Sequence, residues 1–138
     1  METPASSESG LVTGLKVVSA VVAVGVVIQA WLGSTGFFQG EPGRIDLHEM
    51  FANLFFLLVV AQVVLVVMLQ RKGQASRNLL IMSVVTVAFT VAQIGLGYGT
   101  RDSVDALAWH LPVGVTLMGV SAVCMAMVWN LSGASRQG

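Results

Sequence analysis

The sequence has 138 residues, of which 55% are hydrophobic and only 10% are charged, and its mean hydropathy is +0.82. Because a soluble domain carries about 25% charged residues, this composition excludes an ordinary soluble globule and predicts that membrane lipid covers much of the surface. The formal net charge is zero, so no nucleic acid is expected as a partner. The length predicts one domain, and a single cysteine excludes an internal disulfide.

Four apolar stretches predict an all-α membrane protein with an up-down four-transmembrane-helix bundle. They lie at about 11–32, 47–69, 79–96 and 106–131, separated by polar links at 33–46, 70–78 and 97–105. Each stretch approaches or exceeds the ~20 residues that cross a bilayer. Backbone groups in lipid must bond within their own segment, so these stretches are expected to be helices. We expect residues 1–10 to be disordered, 11–131 to form the transmembrane domain and 132–138 to form a cytoplasmic tail.

The distribution of positive charge predicts the orientation. Four spans place both termini and the 70–78 link on one side of the membrane. That side carries most of the cations: Lys16, Arg71, Lys72, Arg77 and Arg136. The opposite side carries Arg44 and Arg101. Since cytoplasmic loops are enriched in Lys and Arg, we predict a multi-pass protein of the inner cell membrane with both termini in the cytoplasm.

The two halves of the chain share a motif that indicates an internal repeat. Gln29 to Gly33 and Gln93 to Gly97 both read Gln-x-x-Leu-Gly, and a histidine follows each motif at nearly the same separation. These histidines, His48 and His110, are the only two in the chain. The pattern predicts two parallel helical hairpins, at about 11–70 and 79–131, related by an axis along the membrane normal.

The two histidines are predicted to face each other near the outer surface. At 1.5 Å per residue, both lie roughly 33–35 Å from the inner ends of their helices. They belong to the second and fourth helices, which are diagonal in an up-down bundle and about 11–14 Å apart. Two inward imidazoles then suit the iron of a heme, because a bare two-coordinate ion would be poorly held. Bis-histidine heme iron is suited to electron transfer.

Several other residues are candidates for contact with this cofactor. Ala52 and Gly114 lie one turn from His48 and His110 and would let a porphyrin approach, although small residues also serve close helix packing. Phe55 is a further apolar neighbour. The matched Gln29 and Gln93 are candidates for hydrogen bonds to an imidazole or a ligand, because a buried amide is costly in lipid. Arg44 and Arg101 could pair with heme propionates or simply balance local acids.

This pattern resembles the heme A synthase family, whose members resemble two fused four-helix bundles with a histidine at the outer end of the second and fourth helix of each. The resemblance covers nearly all of this chain but only one bundle of that family. It implies a heme b held by His48 and His110 on the extracytoplasmic side. The family's outer-loop cysteine pair is missing here, so the resemblance is taken to imply the ligands and not the synthase activity.

The leading hypothesis is therefore a small membrane cytochrome with an electron-transfer role and no independent catalytic activity. Its expected partners are a quinol or a redox protein, and it could form a homodimer or belong to a larger respiratory complex. One alternative is a non-heme accessory subunit whose repeat is purely structural. Another is a small proton-coupled transporter that uses the histidines and glutamines as a relay, although the expected membrane centre carries no Asp, Glu, Lys or Arg.

Overall fold

The computed structural model describes residues 10–131, and within that range the chain is all-helical, without strands. The four helices are α1 (Gly10–Gln39), α2 (Pro42–Arg71), α3 (Arg77–Gly99) and α4 (Val104–Trp129). Each is long and apolar enough to cross a membrane, which confirms the all-α class and the number of helices. The predicted disorder before residue 10 and the predicted tail at 132–138 lie outside the described residues.

The links between helices are shorter than hydropathy predicted. The segment at 33–46 is almost entirely helical, because α1 continues to Gln39 and α2 begins at Pro42. Gly40 has a φ of +66°, a left-handed conformation that glycine adopts without steric penalty. Pro42 then supplies the fixed φ that suits a first helical residue. The polar composition of this segment thus belongs to helical turns that extend beyond the apolar spans.

The other two links are closed by serine caps. Ser76 Oγ accepts a hydrogen bond from the Leu79 backbone N–H at 3.2 Å, at the start of α3. Ser103 Oγ accepts one from the Ala106 backbone N–H at 3.3 Å, at the start of α4. Each serine satisfies an N–H that has no partner within its own helix. The caps therefore fix where α3 and α4 begin.

The helices form a closed four-helix bundle in which each packs against the helices before and after it. Extensive contacts join α1 to α2, α2 to α3, α3 to α4 and α4 to α1. It follows that α1 and α3 are diagonal, as are α2 and α4. The short connections at 40–41 and 100–103 lie at one end of the bundle, here called the histidine end. The connection at 72–76 lies at the opposite end.

The bundle interior is apolar at two levels. One cluster consists of Leu15, Val66, Leu69, Leu79, Cys124 and Val128, near the end opposite the histidines. A second, middle cluster consists of Val22, Val26, Phe55, Val59 and Leu117. Buried polar residues accompany these clusters: Ser19, Gln62, Ser83, Thr86, Thr90 and Ser121. Three of these residues, Ser83, Thr86 and Thr90, form a polar stripe along the buried face of α3.

Most of the helix surface faces outward and is apolar. In each helix, 28% or less of the most hydrophobic window is buried inside the protein. Val104, Phe38 and Val115 are 83%, 73% and 70% exposed. A water-soluble monomer rarely exposes apolar patches of this extent. The outer surface therefore has the character of a lipid-facing surface.

Candidate functional site

The two histidines meet at the histidine end of the bundle. His48 lies near the start of α2 and His110 near the start of α4, on diagonal helices. Their ring centroids are 6.2 Å apart and their ring planes are inclined by 80°. Both side chains are half-buried. The structure thus brings together the two residues that the sequence repeat singles out.

The ring of His48 is oriented by the backbone of α1. Its Nδ1 lies 3.1 Å from the carbonyl oxygen of Gln29. A carbonyl oxygen can only accept, so Nδ1 must carry the proton that is donated in this bond. In a neutral imidazole, Nε2 is then the nitrogen with a free lone pair. His48 is therefore held in the tautomer that leaves Nε2 able to accept a bond.

The ring of His110 has a different environment. Its Nε2 lies 3.5 Å from the Nε2 of Gln93, which is longer than an ordinary N–H···N or N–H···O hydrogen bond. The His110 Nδ1 and the Gln93 Oε1 are both buried, and neither has a hydrogen-bond partner in the described part of the chain. Buried polar atoms without partners are costly. Two buried polar atoms on the His110 side of the site therefore lack hydrogen-bond partners among residues 10–131.

The glycine of each sequence motif lies directly against a histidine ring. A Cβ atom placed on Gly33 would lie 3.1 Å from Cε1 and 3.2 Å from Nδ1 of His48. A Cβ atom placed on Gly97 would lie 3.2 Å from Cε1 of His110. The sequence pattern includes these glycines in the repeat but assigns them no role. Their shared place at the end of each motif is the signal that could have predicted this packing.

The small and aromatic candidates occupy different levels of the bundle. Ala52 is half-buried one turn beyond His48. Gly114 lies against the Gln93 side chain, where an added Cβ would come within 2.7 Å of Nε2. Phe55 is only 7% exposed and belongs to the middle cluster, with its ring edge 2.9 Å from a Cβ built on Gly25. Ala52 and Gly114 thus lie one turn along their helices from the histidines, whereas Phe55 lies deeper in the bundle, in the middle cluster.

The two arginines have partners of their own. Arg44 donates a hydrogen bond to Gln39 Oε1 at 3.0 Å, and its guanidinium lies 5.4 Å from the centre of the Trp31 ring. Arg101 Nη2 lies 2.6 and 2.5 Å from the two carboxylate oxygens of Glu49. The hydrogen bond and charge of that carboxylate raise the pKa of Arg101, which is fully charged at any physiological pH. A propionate at this site would have to compete with Glu49 for Arg101.

Gln62 lies apart from the histidines, near the centre of the bundle. It is 1% exposed, and its Nε2 donates to the Cys124 Sγ at 3.1 Å. The Ser83 hydroxyl lies 3.5 Å from the same sulfur and donates to the Leu79 carbonyl at 2.9 Å. Gln62 therefore forms a polar link between α2 and α4.

Comparison of the chain with family models, with curated proteins and with solved structures finds no match. Among residues 10–131, His, Cys, Asp and Glu side chains form no group of three or more that could hold a bare metal ion. The functional argument therefore depends on the geometry of the two histidines and their neighbours.

Proposed function

We propose that this chain is a membrane-embedded heme b protein that binds the heme iron through His48 and His110 and transfers electrons. The observation that supports this most directly is the separation of 6.2 Å between the two ring centroids. An imidazole nitrogen binds a metal at about 2 Å. Since the nitrogen lies ~1 Å from its ring centre, two rings on opposite sides of one metal have centres about 6 Å apart. The separation fits bis-histidine ligation.

Several features of the site support a large flat ligand over a bare ion. Two histidines alone supply too few ligands for a stable metal site, whereas a porphyrin supplies four further nitrogens. Gly33 and Gly97 leave no side chain between each histidine and the helix before it. The buried Gln93 Oε1 and His110 Nδ1 are available for bonds to groups outside residues 10–131. The donor set and its surroundings therefore fit a heme.

The residues of the chain would position the ligands and set the properties of the cofactor. The Gln29 carbonyl would hold His48 with Nε2 free, and the motif glycines let both rings pack closely against α1 and α3. The middle cluster under the site excludes water, which favours retention of an apolar cofactor. When bound, a bis-histidine heme carries one electron at a time and has no open position for substrate.

The topology forms part of the same proposal. Buried residues recur at matching positions in the hairpins, with Leu15 and Ser19 on α1 corresponding to Leu79 and Ser83 on α3. This recurrence supports two parallel repeats, and the charge distribution supports an inner-membrane protein with cytoplasmic termini. The histidine end would then be extracytoplasmic, as the resemblance to heme A synthases implies. A quinol or redox protein would supply electrons, within a homodimer or a larger respiratory complex.

The polar stripe on α3 adds no free hydroxyl donor to a proton path through the bundle. Ser83, Thr86 and Thr90 donate their hydroxyl hydrogens to carbonyls of their own helix at 2.9, 2.9 and 2.8 Å. Hydroxyls bonded in this way satisfy helix carbonyls and are not free donors for a relay. The stripe is accounted for by helix packing, so the histidines remain the chemically distinctive groups.

The absorption spectrum of the purified protein tests the proposal. We expect a Soret band and, after dithionite reduction, a sharp α-band. His48→Ala and His110→Ala should each abolish the low-spin spectrum, because one axial ligand is lost in either variant. Trp109→Ala is the matched control, since Trp109 adjoins His110 but is 64% exposed on the outer surface.

Circular dichroism should show unchanged helical content in all three variants. A wild-type protein that is folded but colourless, even after expression with added heme, would exclude the heme proposal. Retention of the low-spin spectrum in both histidine variants would exclude these residues as ligands.

A further inference from the structure

The two histidines differ in what holds their rings in place. His48 Nδ1 donates a hydrogen bond to the Gln29 carbonyl oxygen across 3.1 Å. The same ring nitrogen of His110 is buried and has no hydrogen-bond partner within residues 10–131. A partner on the nitrogen that does not coordinate orients a histidine ligand and raises its basicity, and loss of such a partner typically lowers metal affinity by about 10- to 100-fold. His48 is therefore better prepared than His110 to bind a metal.

The nitrogens that would coordinate a metal also differ. His110 Nε2 has the amide nitrogen of Gln93 as a neighbour at 3.5 Å. An amide nitrogen can only donate, so any interaction between these two atoms uses the lone pair that a metal would need. The hydrogen bond of His48 uses Nδ1 and leaves the Nε2 lone pair available. The glutamine of the second hairpin thus neighbours the coordinating nitrogen, whereas that of the first supports its histidine through the other one.

The glycine contacts show the same inequality between the two rings. A Cβ atom placed on Gly33 would lie within 3.4 Å of three ring atoms of His48. A Cβ atom placed on Gly97 would lie that close to one ring atom of His110, and the next ring atom is 3.7 Å away. The His110 ring is therefore held by fewer close contacts as well as by fewer hydrogen bonds.

We propose that His48 is the permanent axial ligand of the heme and that His110 is an exchangeable one, which a small neutral diatomic ligand such as carbon monoxide displaces from the reduced iron. This inference rests on the proposed heme function and adds a binding activity to it. His110 leaves as a neutral imidazole, so one bond to the iron breaks as another forms, and no electron is transferred. The Gln93 amide N–H can then donate to the incoming ligand.

The surroundings of His110 favour a ligand of this kind. Because the new ligand takes the place of one imidazole between packed helices, it must be small. The neighbours of His110 named above, Gly97, Gln93 and His48, carry no fixed charge, and the middle cluster deeper in the bundle is apolar. An anion would gain no ion pair from these neighbours, and burial in apolar surroundings would penalise it.

Heme titration of the full-length protein in nanodiscs tests the difference between the two ligands. We expect His48→Ala to bind heme at least about tenfold more weakly than His110→Ala, because only the second variant retains the ligand with a hydrogen-bonded Nδ1. Circular dichroism confirms that both variants are folded. Equal affinities, or the reverse order, would overturn the assignment of His48 as the permanent ligand.

Exposure of the dithionite-reduced protein to carbon monoxide tests the exchange itself. We expect the low-spin spectrum of the wild type to convert to that of a carbon monoxide complex, and we expect Gln93→Leu to shift the C–O stretching frequency in the infrared. Gln70→Leu, the same substitution at the opposite end of the bundle, is the matched control and should leave that frequency unchanged. A low-spin spectrum that saturating carbon monoxide does not alter would overturn the exchange, and an unshifted frequency in Gln93→Leu would overturn the role of Gln93.

The heme proposal and the exchange fail in different ways. A colourless wild-type protein would exclude both, whereas low-spin heme that does not respond to carbon monoxide would exclude the exchange alone. The unequal support of the rings can also be measured without heme, by nitrogen NMR of isotope-labelled histidines at neutral pH. We expect a single tautomer protonated at Nδ1 for His48 and no such preference for His110. The same preference in both rings would contradict the inferred difference between them.

Discussion

The two hairpins differ most where each supports its histidine. In the first, the Gln29 backbone carbonyl lies 3.1 Å from His48 Nδ1, and within residues 10–131 neither polar atom of the Gln29 side chain has a hydrogen-bond partner. In the second, the Gln93 amide lies 3.5 Å from His110 Nε2, which is too long for an ordinary hydrogen bond, and Phe89 stands where the first hairpin has Gly25. The same motif thus holds His48 by a main-chain hydrogen bond, whereas its glutamine side chain only approaches His110.

The difference continues in the packing around the two glutamines. In the second hairpin, Gly114 lets the Gln93 side chain approach α4 closely. The first hairpin has Ala52 at the corresponding place. Each hairpin therefore supplies one histidine but surrounds its glutamine differently.

The largest effect is expected from adding a methyl group to the motif glycines. Gly33→Ala should lower heme occupancy strongly and reduce the free energy of unfolding by about 1–3 kcal/mol, because the new Cβ would press on His48. Gly97→Ala should have a weaker effect, since fewer ring atoms of His110 lie close. Heme content per protein and thermal unfolding measure both consequences.

Gly14→Ala and Gly95→Ala are the matched controls on the same two helices. A Cβ at either position would meet no atom within 4 Å. Both should retain full heme content, and alanine should not weaken either helix. Equal heme loss in the control and motif variants would show that the motif glycines have no special contact with the rings.

A residue exchange across the bundle tests the equivalence of α2 and α4. Gln62 follows His48 by the same number of residues as Cys124 follows His110, and the two side chains are hydrogen-bonded to each other. Cys124→Gln alone should destabilise by about 1–3 kcal/mol through overpacking. The double variant Gln62→Cys/Cys124→Gln should recover most of this loss, because it restores the pair with its members exchanged. Unfolding under reducing conditions measures the coupling, and failure to recover would argue against equivalent helices.

Gly114→Ala should produce a smaller and more specific change. The new Cβ would displace the Gln93 amide, and because that amide is the end of a flexible side chain, the stability cost should remain below about 1 kcal/mol. The expected result is full heme content with a shifted reduction potential, in the same direction as in Gln93→Leu. Ala52→Gly is the reciprocal control. Redox titration measures the shift, and opposite shifts in the two variants would contradict a role for Gln93 beside His110.

The smallest effect is expected from Arg101→Gln. The Arg101–Glu49 pair joins the second hairpin's connection to α2, but both side chains are substantially exposed. Exposed pairs contribute little and are screened by salt. The unfolding midpoint should fall slightly at low ionic strength and match that of the wild type at high salt. A large loss of heme in this variant would instead indicate that Arg101 binds the cofactor directly.

The helices and the pairing of the histidines could be anticipated from the chain because both depend on local patterns. Apolar runs predict spans, and His48 and His110 occupy equal depths on diagonal helices. The outer helix ends could not be placed in the same way, since residues 33–39 are helical although polar and glycine-rich. Hydropathy measures residence in lipid, and a helix can continue beyond that region.

The finer features of the site depended on contacts between helices. The packing of the Phe55 ring against Gly25 requires that α1 and α2 bring these residues together, and the pairing of Arg101 with Glu49 joins residues distant in sequence. Spacing along one helix does not specify the register of its neighbour. The closest sequence signal was the contrast between Gly25 and Phe89, which becomes meaningful only after the two hairpins are aligned.

The burial of Cys124 has a practical consequence for mapping topology. The chain has one cysteine, and its side chain is 1% exposed in the bundle interior. Folded wild-type protein should therefore react slowly with a membrane-impermeant maleimide. A reporter cysteine introduced at Ala75 or at Ser103 would then be labelled with little interference from Cys124. Comparison of intact cells with inverted vesicles would assign each connection to its side of the membrane without altering the native thiol.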